Sequence, residues 1–239
     1  MTLIAVLLTA CAGTATVQSP PAPAAPAPAL PNATHWARNS AEHRAIYIEV
    51  YRAAGERLAA LAAGRAAGTW GVILDADETV IDNSEYERRR APFGSTFDAA
   101  AWDAWVREAA APALPGAAAF TRRVHDMGGR VVIVTNRTEP QCPVTRANLA
   151  TAGIPADLVL CRTTTSDKNP RFEAVQRGTA APGFPPLTIV EWIGDNIEDF
   201  PHLTQRVRTL PDSAFARFGV TYFALPNAMY GSWLANPRE

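Results

Sequence analysis

The sequence predicts an α/β protein, a doubly wound parallel sheet carrying a small helical cap insertion. Three observations predict it. Five short apolar runs, rich in β-branched and aromatic residues, recur between residues 70 and 225. Helix-period stretches separate them, the alternation that builds a parallel sheet covered on both faces. Several of the runs stop abruptly in acidic or amide residues, and such sheets bind ligands beyond the carboxyl ends of their strands.

Composition sets the frame. The chain has 239 residues, 48% of them hydrophobic, and a formal charge of -1. That suits one domain of ordinary size with an insertion. With 19% charged residues it is neither a binder of nucleic-acid polymers through bulk charge nor a largely disordered chain. No apolar run approaches the ~18 residues of a membrane-spanning helix. The 22 basic residues comprise 21 Arg and a single lysine, Lys168. An ammonium is not chemically equivalent to a guanidinium.

Residues 1–10 are apolar and end in Leu8-Thr9-Ala10-Cys11. Small residues before a Cys resemble the lipobox of bacterial lipoproteins, so 1–10 is expected to be a lipoprotein signal and Cys11 the lipidated residue. An ordinary signal peptide with an incidental Cys stays open. Residues 11–34 read as a tether, because six of the 20 prolines fall within 18–31 and alternate with Ala. Such a segment favours extended polyproline conformation and packs no core. Ala12 offers no aspartate-type retention signal for the inner membrane. The expected location is therefore the outer membrane, facing the periplasm, with the membrane met only through the lipid.

The folded domain is expected over 35–239. Asn39 and Glu42 have capping-box spacing, and Ile46, Val50, Ala54, Leu58 and Leu61 follow at helical intervals up to Gly64. Residues 70–74 form the first strand, ending in Asp75-Ala76-Asp77-Glu78-Thr79. Residues 83–115 hold Tyr86, Phe93, Phe97, Trp102 and Trp105, too much for a simple crossover, and read as a cap. A helix over 117–127 leads to the second strand, 130–134, ending at Thr135-Asn136. A helix over 144–152 and a short strand over 157–160 follow. The fourth strand, 187–193, ends at Gly194-Asp195-Asn196, and the fifth spans 220–225.

Chemistry gathers at those ends. Asp75 and Asp77, and Asp195 and Asp199, are carboxylates that repel one another unless a cation neutralises them. Oxygen ligands of this kind suit Mg²⁺ together with phosphate oxygens. A carboxylate beside such a metal can attack phosphorus, and a neighbouring one can carry the proton of the leaving oxygen. Thr135 offers a hydroxyl and Lys168 a point charge for the phosphoryl group. Each feature also has an ordinary reading: Asp-x-Asp as a turn, Thr79 or Asp82 as a helix cap, Gly194-Asp195-Asn196 as a tight turn. All of them in order at strand ends favour the chemical reading.

These residues resemble the four motifs of the haloacid dehalogenase superfamily: Asp75-Ala76-Asp77-Glu78-Thr79, Thr135, Lys168, and Gly194-Asp195-Asn196-Ile197-Glu198-Asp199. The longer string from Ile73 to Ser84 is similar to the first motif of class C bacterial acid phosphatases. So are Trp102-Asp103-Ala104-Trp105-Val106, Leu114-Pro115-Gly116-Ala117 and Met229-Tyr230-Gly231-Ser232-Trp233. The resemblance covers roughly residues 36–234. It implies a Rossmann-like haloacid dehalogenase fold and a Mg²⁺-dependent lipoprotein acid phosphatase acting on small phosphate monoesters, nucleoside 5'-monophosphates among them. Asp75 would be the nucleophile and Asp77 the acid and base. Asp75, the Asp77 carbonyl, Asp195 and Asp199 would serve the metal, and Thr135 and Lys168 would hold the phosphoryl group. An acid at position 77 favours ester hydrolysis over dehalogenation.

Asn136, Tyr86, Trp102, Trp105 and Tyr230 are the candidate substrate-binding residues, the four rings as stacking faces for a flat base; core packing is the alternative for each ring. Phosphotransfer to alcohols, or a catalytically silent envelope lipoprotein, are the competing functions. No glycine-rich triphosphate loop is present, which disfavours an ATPase. Cys142 and Cys161 either pair or remain thiols; with no nearby His pair they are too few for zinc. Whether the chain forms a homodimer is left open.

Overall fold

The computed structural model describes residues 29–94 and 97–238. The signal, Cys11 and most of the tether lie outside the described residues. Helix α1 (Asn32–Asn39) is followed at once by the long α2 (Ala41–Leu61). Then come β1 (Trp70–Leu74), α3 (Ser84–Arg90), α4 (Ala99–Glu108), α5 (Ala117–Asp126), β2 (Arg130–Thr138) and α6 (Cys142–Thr151). The chain continues through β3 (Leu158–Arg162), α7 (Asn169–Arg177), β4 (Thr188–Gly194) and β5 (Tyr222–Ala224).

The five strands form one sheet in the order β3-β2-β1-β4-β5, and every pairing is parallel. The period of two along a strand sorts side chains to opposite faces. Val72, Leu74, Val131 and Ile133 join the core cluster that includes α2, α4 and α5. Ile73, Val132 and Val134 join the cluster that includes Phe172 and Val175 of α7 and Phe200. Burial on both faces is why these strands read as continuous apolar runs rather than alternating ones. The strand order reverses between β1 and β4, so the crevice beyond their carboxyl ends is where a ligand is expected. Helices α3 and α4 lie between β1 and α5, within the segment 83–115.

Three details differ from the sequence reading. Helix α1 starts at Asn32, ahead of the expected onset near residue 35. Helix α2 is capped by Ser40, whose hydroxyl accepts from the His43 backbone N–H at 3.0 Å, not by Asn39. Asn39 instead closes α1, its amide donating to the His35 carbonyl. Two adjacent residues are both good caps, and the extra helix takes the first. Strand β2 runs on to Thr138, with a register irregularity between Val134 and Thr138. That extension carries Arg137 into the site. Cys142 and Cys161 form a disulfide tying the start of α6 to β3, with Cα atoms 5.9 Å apart.

Candidate active site

Strand β1 delivers Asp75 to the crevice, and the Asp75 backbone N–H still donates to the Ile193 carbonyl of β4 at 3.0 Å. The chain then turns tightly, Val80 and Ile81 both donating to the Ala76 carbonyl. Within this turn Glu78 is left-handed, at φ +52°, a conformation that non-glycine residues adopt at a cost. Helix α2 holds it. Tyr47 Oη donates to the Glu78 carbonyl at 2.5 Å and Tyr51 Oη to the Thr79 carbonyl at 2.7 Å.

Asp75 and Asp77 end up in different surroundings. Lys168 is buried, and its Nζ lies 2.5 Å from Asp75 Oδ1 and 2.6 Å from Asp199 Oδ1. Burial pulls the ammonium towards neutrality, but Asp199 and Asp75 outweigh it and hold its pKa above the ordinary value. The other oxygen of Asp199 accepts from the Asn196 backbone N–H at 2.9 Å. Gly194 makes room for this: a Cβ there would meet the Asp199 Cβ at 2.3 Å. Asp195 accepts from Thr79 Oγ1 at 3.0 Å and from Asn227 Nδ2 at 2.9 Å.

Ligand oxygens of Asp75, Asp195 and Asp199 lie within 4.8 Å of one another. Burial, with Asp199 and Asp77 adding and Lys168 opposing, pushes the Asp75 carboxyl up to about 7. Burial, Asp199 and Asp75 push Asp195 well above the carboxylate range. Three carboxylates against one ammonium leave an excess of negative charge. An all-oxygen donor set of this charge fits a hard divalent cation.

Asp77 faces the other way. The Arg137 side chain, fully shielded from solvent, sends Nη2 to Asp77 Oδ1 at 2.7 Å and Nε to the same oxygen at 2.9 Å. Asn83 Nδ2 donates to that oxygen as well, at 2.9 Å. Thr135 is buried within β2, at the start of its irregular stretch, where its Oγ1 accepts from the Arg137 backbone N–H at 3.1 Å, leaving its own proton to donate. Asn136 is exposed; it donates to the Ser166 carbonyl at 3.0 Å and accepts from Arg171 Nη2 at 2.7 Å. It thereby braces the loop that carries Lys168.

The aromatic candidates separate by exposure. Tyr86 is buried, packed edge-on against Trp102 with ring centroids 5.1 Å apart. Trp105 is buried, its indole N–H donating to Asn83 Oδ1 and one face under the Arg89 guanidinium. Both rings serve packing as placed. Trp102 and Tyr230 keep partial exposure. The Arg137 guanidinium lies 5.5 Å from the Trp102 ring centroid, and the Tyr230 hydroxyl is buried without a hydrogen-bond partner among the described residues. Sequence reasoning missed Arg137, Asn83, Thr79 and Asn227 as parts of the site. Asn83 and Thr79 belong to the first motif string; Arg137 follows Thr135-Asn136 directly.

Comparison with known proteins agrees with this fold. The class C acid phosphatase of Bacillus anthracis superposes with a TM-score of 0.74 at 30% identity, covering 84% of each chain. The same enzyme with tungstate bound gives a TM-score of 0.73 at 29% identity, again over 84% of each chain. Acid phosphatase 1 of Solanum lycopersicum is 35% identical over 81 residues, 34% of this chain and 32% of that protein. The stem 28 kDa glycoprotein of Glycine max is 30% identical over 81 residues, with the same coverage of 34% and 32%. The chain thus spans about a third of the length of these curated relatives. Residues 9–233 match the HAD superfamily, subfamily IIIB (Acid phosphatase), and the chain belongs to that family.

Proposed function

We propose that the chain is an acid phosphatase that hydrolyses small phosphate monoesters through an aspartyl-phosphate. The observation that carries this is the division of labour between two aspartates two residues apart. Asp75 lies among Lys168, Asp195 and Asp199; Asp77 is turned towards Arg137 and Asn83. Lys168 engages one oxygen of Asp75, and the other attacks phosphorus. As the bond to the ester oxygen breaks, Asp77 gives that oxygen a proton. Asp77 then takes a proton from water, the water oxygen attacks phosphorus, and the bond to Asp75 breaks to release phosphate. Lys168 and the Thr135 hydroxyl hold the phosphoryl oxygens.

Mg²⁺ is the cation proposed for the carboxylate set, held by Asp75, Asp195 and Asp199 with the Asp77 carbonyl. When bound it neutralises the phosphoryl oxygens and the crowded carboxylates. Tungstate, the ion bound in the Bacillus anthracis relative, is a tetrahedral oxyanion with the shape of phosphate, which supports the same reading here. Trp102 and Tyr230, the partly exposed rings, favour a flat leaving group such as a nucleoside 5'-monophosphate. A phosphate-release screen of nucleoside monophosphates, sugar phosphates and aryl phosphates tests the assignment. Chelation should abolish release and Mg²⁺ should restore it; full activity in excess chelator contradicts the proposal.

We further propose that Cys11 carries lipid and anchors the enzyme to the outer membrane. No described helix is long and apolar enough to cross a membrane. Mass spectrometry of the mature protein tests the anchor, and an unmodified Cys11 refutes it.

A further inference from the structure

We infer that Asn83 is the positioning residue for Asp77, and that Trp105 of the cap insertion locks it in place. This rests on the reading of Asp77 as the proton donor.

Asn83 is fully buried, and its side-chain amide makes every hydrogen bond it has to make. Oδ1 accepts from Trp105 Nε1 at 2.8 Å and from Arg137 Nη2 at 3.1 Å. Nδ2 donates to Asp77 Oδ1 at 2.9 Å and to Glu78 Oε2 at 3.3 Å. An indole N–H and a guanidinium are donors with no acceptor capacity. Carboxylates at positions 77 and 78 are the acceptors on the other side. A flipped amide would set two donors against its own NH₂ and two carboxylates against its own oxygen. Only one orientation is therefore stable, and it aims Nδ2 at Asp77.

The backbone completes the clamp. The Asn83 N–H donates to Glu78 Oε1 at 2.7 Å, so Glu78 holds Asn83 at two points while α2 holds the strained Glu78 turn from behind. Asn83 immediately precedes α3, and Trp105 comes from α4. Both helices of the insertion thus meet at one amide, and that amide fixes the Asp77 carboxylate. Arg137 supplies the charge beside Asp77, whereas Asn83 supplies direction and ties it to the seating of the insertion. A misplaced acid costs most where the leaving group needs a proton.

The test compares wild type, Asn83→Asp, Trp105→Phe and Asp77→Asn, all with Mg²⁺, on p-nitrophenyl phosphate and on glycerol 2-phosphate. Asn83→Asp keeps the shape and the acceptor for Trp105 and Arg137 but loses both side-chain donors. Its turnover of glycerol 2-phosphate should fall by ~10²-fold, the usual contribution of a general acid. On p-nitrophenyl phosphate, whose leaving group needs no proton, it should still release a rapid burst of about one nitrophenol per protein molecule. Trp105→Phe should shift the ratio of first-turnover rates on the two substrates in the same direction by a smaller factor. Equal loss of the first-turnover rate on both substrates in the two variants, or a burst reduced in proportion to turnover, would mean a purely structural role and overturn the inference. If Asn83→Asp does not fold, Trp105→Phe, which removes one N–H and keeps the ring, decides the matter. Absence of a selective loss of first-turnover rate on glycerol 2-phosphate in Asp77→Asn would instead overturn the acid assignment, and the inference with it. A selective loss in Asp77→Asn with none in the other two overturns the inference alone.

Discussion

Two regions of β4 bury carboxylates, and they solve the problem differently. At the carboxyl end, Asp195 and Asp199 sit with Asp75 around Lys168, and each has named donors: Thr79, Asn227, the Asn196 N–H and the lysine itself. Four residues before Asp195, Glu191 is fully buried, and neither of its oxygens has a hydrogen-bond partner among the described residues. Burial pushes the Glu191 carboxyl up to about 8, with Arg57 of α2 opposing only in part. Isolated buried charge is costly, so a lone group neutralises instead. The site carboxylates are pushed up too, Asp75 to about 7 and Asp195 well above the ordinary range. But they converge on one ammonium and on directed donors, and a bound divalent cation would hold them ionised. Glu191 has no such surroundings and persists as a neutral acid. Buried acidity alone therefore does not mark a catalytic group; convergence with a cation and directed donors does.

The comparison can be broken most severely at the nucleophile. Asp75→Asn should lower turnover on the order of 10⁴-fold or more while circular dichroism reports an unchanged fold, since residues that act as a catalytic unit fail together. Retained activity would place Asp75 with Glu191 as a structural carboxylate. Next is the cation between the carboxylates. Lys168→Arg preserves charge, but a planar fork cannot occupy the point between Asp75 and Asp199 that a compact ammonium fills. We expect kcat to drop by ~10²-fold through misplacement of the nucleophile. Near wild-type turnover would show that any cation suffices there.

The smallest effect is expected at Glu191, and it should concern stability alone. The folded-state pKa lies near 8, above the ordinary value of 4.5. The folded state thus holds a proton that the unfolded chain releases. Stability from this group is complete below about pH 4.5 and declines as pH rises, by up to about 1.4 kcal/mol per unit, until the folded pKa is passed. Glu191→Gln should flatten that decline, raising Tm at pH 8 relative to wild type while leaving kcat unchanged. An equal pH dependence of Tm in the two proteins would mean that Glu191 is ionised and paired.

Much of this was legible in the sequence because polar residues interrupt apolar runs at strand ends. Asp75, Asp77, Thr135, Asp195 and Asp199 all stand out in that way, and Lys168 stands out by being the sole lysine. Arg137 did not. One arginine among 21 carries no compositional signal, and its role depends on β2 extending past the expected end. Glu191 sits inside the run 187–193, where one polar residue does not disturb a strand pattern. Asn83 lies within a motif string, but its value comes from four partners on three segments, which no local spacing encodes. Tyr47 and Tyr51 each follow a residue of the expected helix face, Ile46 and Val50, and helical spacing says nothing of their hydroxyls, which reach the carbonyls of a turn about thirty residues away. The rings Tyr86 and Trp105 were ambiguous between packing and stacking, and burial resolves that ambiguity towards packing.

The central claim is that Asp75 takes the phosphoryl group while Asp77 manages protons. Rapid quench of the Asp77→Asn variant with p-nitrophenyl phosphate and Mg²⁺, followed by peptide mass spectrometry, tests it most directly. The first step needs no acid with this leaving group, whereas release of phosphate needs the base that the variant lacks. The account predicts a peptide containing Asp75 that is heavier by one phosphoryl group, at a stoichiometry approaching one per chain. Nitrophenol release with no adduct, or an adduct on any other residue, would contradict it.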